Sequence, residues 1–555
     1  MKIYLSKAKV KPLDLAANRR RAQLEIEKAV RQQARLIIFP QGFLSGADLG
    51  IMAGKAYFAA AYNDAAQSLA QENDSIYILA DRYENGFVNT LYHGGEILPA
   101  DSFEIDGFSF AAFDSRQDLR QKAPGIQADR FVLNQSRPVL AGQRRLLHRM
   151  LSALRVSGRC TVVCNLGGLG FTSHPNIYMP CISFIDSKND IFTTTAEEYK
   201  NSPCCFAPEK QKSRPGGVFT LPALDFPVAF NQNPLIPANV DQKEYCLDLF
   251  YLQSLALANR LDNLGMKKAV VAVSGGLDSA LALLATVNAF DMLGLDRSGI
   301  IALSMPGFGT SDTTKSLGRQ LTAGLGIELK FIDITTACTQ ALKDIGHDGK
   351  TADVTFENVQ ARMRTLNALN IANMAGGIMV GTGDLSEEAL GFATYGGDRL
   401  AGYNVNSSIS KTVIRTMLPY VTRLENLKGA KEAVQGILSI PVSPELLPAA
   451  GQIAQKTEDI LAPYKLIDFF IYCFVVAGLS PIEMAQRASC VFEGEFSASY
   501  LREKAAMFAG RFIGGQFKRS CAPEGARLTH AALMGQGRSL PSDCSRRFLL
   551  SFLNM

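Results

Sequence analysis

Ala269-Val270-Val271-Ala272-Val273-Ser274-Gly275-Gly276-Leu277-Asp278-Ser279 is the stretch that decides the fold of the second half of this chain, and the apolar run Ala280 to Phe290 follows it directly. Five apolar residues ending in a glycine pair read as a buried parallel strand, a tight turn and the start of a helix. The glycines let main-chain amides approach an anion. The helix end adds N–H groups without intrahelical partners and a partial positive charge, and the serine hydroxyls can donate hydrogen bonds, so the turn is suited to phosphate. It is not the G-x-x-x-x-G-K-[ST] loop, because no lysine follows the glycines, nor is it G-x-G-x-x-G. A carboxylate at a phosphate site is repulsive unless a cation intervenes, so Asp278 argues for Mg2+ between carboxylate and phosphate oxygens.

Outward from this turn, strand-like runs recur at 300–304, 328–332 and 377–380 with helical segments between them, and a helix is expected over 243–264. Buried strands alternating with helices predict a doubly wound parallel sheet. The first part of the chain is also α/β: strands near 2–5, 36–39 and 76–80 alternate with helices over 15–33 and 56–72. Between the two parts, Pro208, Pro215, Pro222, Pro227, Pro234 and Pro237 punctuate a stretch with little helical period. The expected organisation is a first domain over 1–205, a linker over 206–240 and a second domain over 241–555.

Composition narrows the function classes. A net charge of +5 over 555 residues is too small for a surface that wraps nucleic acid. The longest uncharged apolar run, Phe469 to Leu479, is far shorter than the roughly 18 to 20 residues that cross a bilayer. Lysines scattered through the first residues break the apolar core that a signal peptide needs. Eleven cysteines without a small-domain spacing fit reduced thiols and a cytoplasmic setting better than a disulfide framework. Cys160, Cys164, Cys204 and Cys205 have no histidine at ligand spacing and imply no zinc.

Ser274-Gly-Gly-x-Asp-Ser279 after a strand resembles the pyrophosphate loop of the ATP pyrophosphatase group. Four further stretches, Met305-Pro-Gly-Phe-Gly-Thr-Ser-Asp312, Phe356-Glu-Asn-Val-Gln-Ala-Arg362, Gly381-Thr-Gly-Asp-Leu-Ser-Glu387 and Gln516-Phe-Lys-Arg-Ser520, together resemble NAD synthetases of the large, glutamine-dependent kind. The resemblance runs nearly continuously over 241–545 and only loosely over the first 205 residues. It implies an α/β protein whose N-terminal domain is nitrilase-like, with α-β-β-α layers, and whose C-terminal domain is doubly wound and similar to adenine nucleotide alpha hydrolases.

It further implies that Ser274, Gly275, Gly276, Leu277, Asp278, Ser279 and Thr382 hold ATP, that Asp278 and Glu387 are catalytic ligands of Mg2+, and that Asn358, Arg364, Glu387, Phe392 and Lys518 contact deamido-NAD. Lys411 is a further candidate for a phosphate contact. The implied reaction is attack of the deamido-NAD carboxylate on the α-phosphorus of ATP, then displacement of AMP by ammonia. The implied assembly is a homo-oligomer with small-molecule substrates. A different enzyme of the same loop group and a catalytically dead NAD-responsive scaffold are the competing readings.

In that family the first domain is a glutaminase using a Glu, a Lys and a Cys: a base, a cation for the oxyanion and a nucleophile. Here Leu36-Ile37-Ile38-Phe39-Pro40 leads into Gln41, which cannot accept a proton. Ser115 stands where the nucleophile would follow the strand 108–113. No Cys precedes Cys160 and no Lys lies between Lys55 and Lys122, facts that do not depend on alignment register. A pseudo-glutaminase is expected, with glutamine use through an altered site as the alternative. Cys164 and Cys181 lie in strand-like runs and read as core thiols.

Overall fold

The computed structural model describes residues 2–6, 10, 13–45, 55–84, 86–113, 229–238, 240–309, 312–440 and 461–533, together with the backbone of five strands between 130 and 206. The chain forms two compact units that part at 226/227.

In the first unit, β1 (Ile3–Leu5), β2 (Leu36–Ile38), β3 (Tyr77–Tyr83), β4 (Phe87–His93) and β5 (Glu96–Leu98) form one sheet with β12 (Cys205–Phe206), in the order β12-β1-β2-β3-β4-β5. A second sheet runs β11-β10-β9-β8-β7-β6, from β6 (Phe103–Ile105), β7 (Phe108–Phe113), β8 (Arg130–Asn134), β9 (Cys160–Cys164), β10 (Ile182–Ile185) and β11 (Ile191–Thr193). Side chains alternate along each strand. Ile3, Leu5, Leu36, Ile38 and Leu79 therefore face Ile105, Phe108, Phe110 and Val132 of the other sheet. Tyr4, Ile37, Ile78 and Ala80 point the other way, into the helices Leu15–Arg31 and Ala56–Gln71. With both faces covered, these strands read in sequence as unbroken apolar runs. Three layers of the expected α-β-β-α arrangement lie among the described residues.

The second unit contains a five-stranded parallel sheet in the order β15-β14-β13-β16-β17, made of β13 (Ala269–Ala272), β14 (Ile300–Ser304), β15 (Leu329–Phe331), β16 (Ile378–Gly381) and β17 (Tyr403–Asn404). Successive strands step outward from β13 on one side, and the chain then returns to lay β16 on its other side. That reversal opens a crevice beyond the carboxyl ends of β13 and β16, where ligands of such sheets bind. Asp241 caps the helix Gln242–Leu264 by accepting from the Glu244 N–H at 2.9 Å.

The apolar helix expected over 280–290 extends further at both ends, as Leu277–Leu293. Gly276 is extended and serves as its N-cap, and Gly294, with φ of 65°, closes it. Asp278 and Ser279 thus lie in the first helical turn rather than in a loop before it. The strand β17 was not expected, because two residues carry no periodicity. Of the stretch 206–240, residues 207–228 lie outside the described residues. Phe230 stacks edge-on against Tyr472, and the Ala229 N–H donates to the Tyr472 hydroxyl at 2.9 Å, so the stretch is docked on the second unit by this point. No helix among the described residues is long and apolar enough to cross a membrane.

Candidate active site

The turn after β13 is held by its own serines. The Gly276 N–H donates to Ser274 Oγ at 3.2 Å, the Ser279 hydroxyl donates to the Gly276 carbonyl at 3.1 Å, and the Ser274 N–H donates to Ser279 Oγ at 3.3 Å. Gly275 has φ of 90°, and a Cβ there would stand 2.1 Å from the Thr314 carbonyl oxygen. Only glycine lets the turn pass this close to the helix Asp312–Gly324.

Beyond β16, the turn Thr382-Gly383-Asp384 leads into the short helix Leu385–Leu390. Asp384 is its N-cap, accepting from the Glu387 N–H at 2.9 Å, and is fully buried. Asn406 joins the two turns. Its amide donates to the carbonyls of Asp278 at 2.9 Å and Thr382 at 3.0 Å, while its own oxygen accepts from Gln253 at 2.7 Å. Asn404 supports the same turn by donating to the Gly383 carbonyl at 2.9 Å.

These supports bring Asp278, Asp384 and Glu387 together, with one ligand oxygen from each within 4.8 Å of the others. Lys411 points into the middle of them. Its Nζ lies 2.6 Å from Asp278 Oδ2, 2.5 Å from Asp384 Oδ2 and 2.9 Å from Glu387 Oε1, and 5.4 Å from the Tyr464 ring centroid. Lys411 opens the helix Lys411–Val421, whose first turn is fastened from outside. The Lys411 N–H donates to Ser386 Oγ at 2.9 Å. Asp468 accepts from the Ser386 hydroxyl at 2.5 Å and from the Thr412 N–H and hydroxyl at 2.9 and 2.6 Å.

Three carboxylates share one ammonium. Burial, with the neighbouring Asp384 carboxylate adding to it and Lys411 opposing it, pushes Asp278 up to about 7. The same balance pushes Glu387 up to about 8. Burial works against the charged form of Lys411, but the three carboxylates outweigh it and hold the ammonium well above its usual range. The cluster is therefore short of positive charge. Asp278 Oδ1 and Asp384 Oδ2 are buried without a hydrogen-bond donor, the 2.5 Å approach of Lys411 to the latter being an ion contact outside hydrogen-bond geometry. Hard oxygen donors this close together, in excess of local cations, fit a small divalent cation such as Mg2+.

The residues expected to contact a dinucleotide fall into two groups. Asn358 Oδ1 accepts from the Thr394 hydroxyl at 2.8 Å, the Lys518 ammonium donates to the carbonyls of Gly391 and Ala393 at 2.9 and 2.7 Å, and Phe392 lies under the Arg511 guanidinium at 5.9 Å. Phe392 thus lies in the turn that follows the helix Leu385–Leu390, and Asn358 and Lys518 hold that turn. Arg364 stands apart from them, with Nε donating to the Met305 carbonyl at 3.0 Å just past β14. Asp384, Asn406 and Asp468 were not singled out from sequence. Asp384 was visible within the quoted Gly381–Glu387 stretch as an N-cap three residues before a Glu; the other two carry no local signal. The buried Glu388–Arg399 ion pair, 2.7 Å apart beneath the same turn, was also missed.

In the first unit, Gln41 follows β2 as expected. The nearby carboxylate of Asp81 is fully buried and accepts from the Gly42 N–H and the Tyr62 hydroxyl, both at 2.6 Å. Ser115 and Cys181 lie outside the described residues, and Cys164 ends β9.

Fold and site together define the second unit as a doubly wound α/β domain with its Ser-Gly-Gly turn and carboxylates at the topological switch point. Residues 251–491 of this unit match the NAD synthase family. The glutamine-dependent NAD(+) synthetases of Mycobacterium bovis and Mycobacterium leprae are each 36% identical to this chain in a 345-residue alignment that covers 57% of this chain and 50% and 51% of those proteins respectively. The chain thus spans about half the length of the curated relatives it matches.

The fold is similar to those of two solved glutamine-dependent NAD(+) synthetases. The Cytophaga hutchinsonii structure superposes at a TM-score of 0.73 with 14% identity, covering 100% of both chains. The Acinetobacter baumannii structure superposes at 0.64 with 17% identity, covering 98% of this chain and 97% of that one. The resemblance read from the five spaced motifs is borne out at the level of family and fold.

Proposed function

We propose that the protein is a ligase that converts deamido-NAD to NAD, consuming ATP, with ammonia that its own first unit does not generate. The observation that carries the reading is the placement of Asp278, Asp384 and Glu387 beside the Ser-Gly-Gly turn, across the crevice between β13 and β16. The match of residues 251–491 to NAD synthase supports the substrate class, and the Acinetobacter baumannii relative was solved with ADP.

In this reading the amides of Gly275 and Gly276 and the start of the helix Leu277–Leu293 bind the phosphates of ATP, with Ser274, Ser279 and Thr382 supplying hydroxyls. Asp278, Asp384 and Glu387 would hold Mg2+, which neutralises phosphate charge when bound. The turn over 391–395, braced by Asn358, Phe392 and Lys518, presents the dinucleotide. The nicotinate carboxylate attacks the α-phosphorus, pyrophosphate leaves, and ammonia displaces AMP from the acyl adenylate with loss of a proton. The protein groups position and neutralise rather than bond covalently to the substrate.

Gln41 in place of a base, and the lack of any Cys before Cys160 or any Lys from 56 to 121, support a pseudo-glutaminase. The test is NAD formation from deamido-NAD, ATP and Mg2+, with ammonium chloride or glutamine as nitrogen donor. Ammonium should support turnover and pyrophosphate release, and glutamine should not. Turnover that saturates at low glutamine overturns the pseudo-glutaminase, and binding of deamido-NAD without pyrophosphate release overturns the ligase.

A further inference from the structure

The three carboxylates aim their oxygens at one point, and that point holds the Lys411 ammonium. Asp278 Oδ2, Asp384 Oδ2 and Glu387 Oε1 all lie 2.5 to 2.9 Å from Nζ. A small divalent cation needs oxygen lone pairs at about 2.0 to 2.1 Å and near-ideal geometry. It cannot take these three oxygens while the ammonium stands between them, because the two positive centres would lie within a contact distance of each other. We propose that Lys411 and the divalent cation compete for this carboxylate cage, so that metal binding expels the lysine side chain from it.

The proposal rests on the metal-dependent reading above and deepens it. The structure supports exchange rather than collapse on three grounds. The Lys411 main chain is fixed independently of its side chain, through Ser386 Oγ and through the Asp468 contacts to Thr412, so the four-carbon stem can swing without unwinding the helix. Two of the cage residues are likewise held from elsewhere: Asp384 Oδ1 accepts from the Glu387 N–H, and the Asp278 main-chain carbonyl accepts from Asn406. The remaining wall near Nζ is the face of Tyr464, which offers the ammonium no carboxylate of its own. Lys411 thus balances the cage until metal arrives, and metal and lysine are held in exclusive arrangements.

Two measurements on the full chain without nucleotide test this. In the first, amines are acylated with a water-soluble acetylating ester and read by peptide mass spectrometry, with and without saturating Mg2+. Lys411, buried in the structure, should be protected without Mg2+ and labelled with it, while exposed Lys428 should label equally in both. Protection of Lys411 that is unchanged by Mg2+ overturns the exchange. This arm uses the unaltered protein and does not depend on any variant folding. In the second, Mn2+ binding is followed by electron paramagnetic resonance in the parent chain, Lys411→Met and Asp278→Asn. Removing the competing charge should tighten Mn2+ binding on the order of tenfold; equal or weaker binding by Lys411→Met overturns the proposal. Binding by the parent that is indifferent to Asp278→Asn shows that the metal site itself is wrong. Dependence on Asp278 combined with a permanently protected Lys411 shows that the exchange alone is wrong.

Discussion

Asp384→Asn separates two jobs that one residue performs. Asn is as good an N-cap as Asp, so the helix Leu385–Leu390 should keep its cap on the Glu387 N–H. What is lost is one negative charge, fully buried, in the cage around Lys411. At about 4 Å a unit charge contributes about 4 kcal/mol per opposing unit charge at an effective dielectric constant of about 20. Desolvation of the carboxylate offsets much of this. A net loss of about 1.5 to 3 kcal/mol in divalent-cation binding is expected, or ten- to a hundredfold in Kd. Folding stability should stay level or rise, because the remaining two carboxylates share the ammonium more easily. Mn2+ titration and urea denaturation on the same preparation measure the two quantities. Unchanged Mn2+ affinity at unchanged stability would refute the reasoning, since it would make Asp384 a helix cap and nothing more.

Other consequences follow from the same geometry. Gly275→Ala puts a Cβ 2.1 Å from the Thr314 carbonyl oxygen at a φ of 90°; the backbone strain alone is worth about 1 to 3 kcal/mol, and thermal melting should show at least that loss. Asn406→Ala strips donors from the part-buried carbonyls of Asp278 and Thr382, costing about 1 to 3 kcal/mol by urea denaturation, and a loss well under about 1 kcal/mol would mean that the two turns are held by other contacts. Asp278 and Glu387 are raised by burial to about 7 and about 8, so the folded chain binds more protons than the unfolded one from about pH 4 upward, and their contribution to stability is lost as pH rises through the folded values. Mg2+ should accordingly raise Tm more at pH 8.5 than at pH 6, where it must displace protons, and equal increments would contradict the assignment. Gln41→Glu restores a carboxylate but neither nucleophile nor lysine, so ammonium release from glutamine should remain at background in that variant; any restored release would show a nucleophile that sequence reasoning overlooked.

Local signals were the ones that could be read from sequence. The run from Ala269 to Ser279 announces strand, turn and helix in consecutive residues, and β14 was placed to the residue because a buried parallel strand is apolar throughout. Cap chemistry was harder: Asp384 is one of many acidic residues that open a helix, and nothing in its neighbourhood says that Lys411 will arrive 2.5 Å away. Lys411 was a candidate for a phosphate contact, and the structure sets its ammonium among three carboxylates, an arrangement with no local signal. Asn406 and Asp468 act on groups 128 and 56 residues away, respectively, and such pairings arise only from the strand order. In the first unit the absence of Cys before Cys160 and of Lys from 56 to 121 can be read from sequence without any fold.

The anchoring of Lys411 through Asp468 has a consequence for the order in which the protein becomes competent. Asp468, which fastens both Ser386 and Thr412, is translated 190 residues after Asp278 and the Ser-Gly-Gly turn. Domains fold largely as units during synthesis. A nascent chain stopped short of the helix Tyr464–Ile471 therefore carries Lys411 without the carboxylate that fastens the first turn of the helix Lys411–Val421, so that this corner of the second unit can be completed only after the later segment is made.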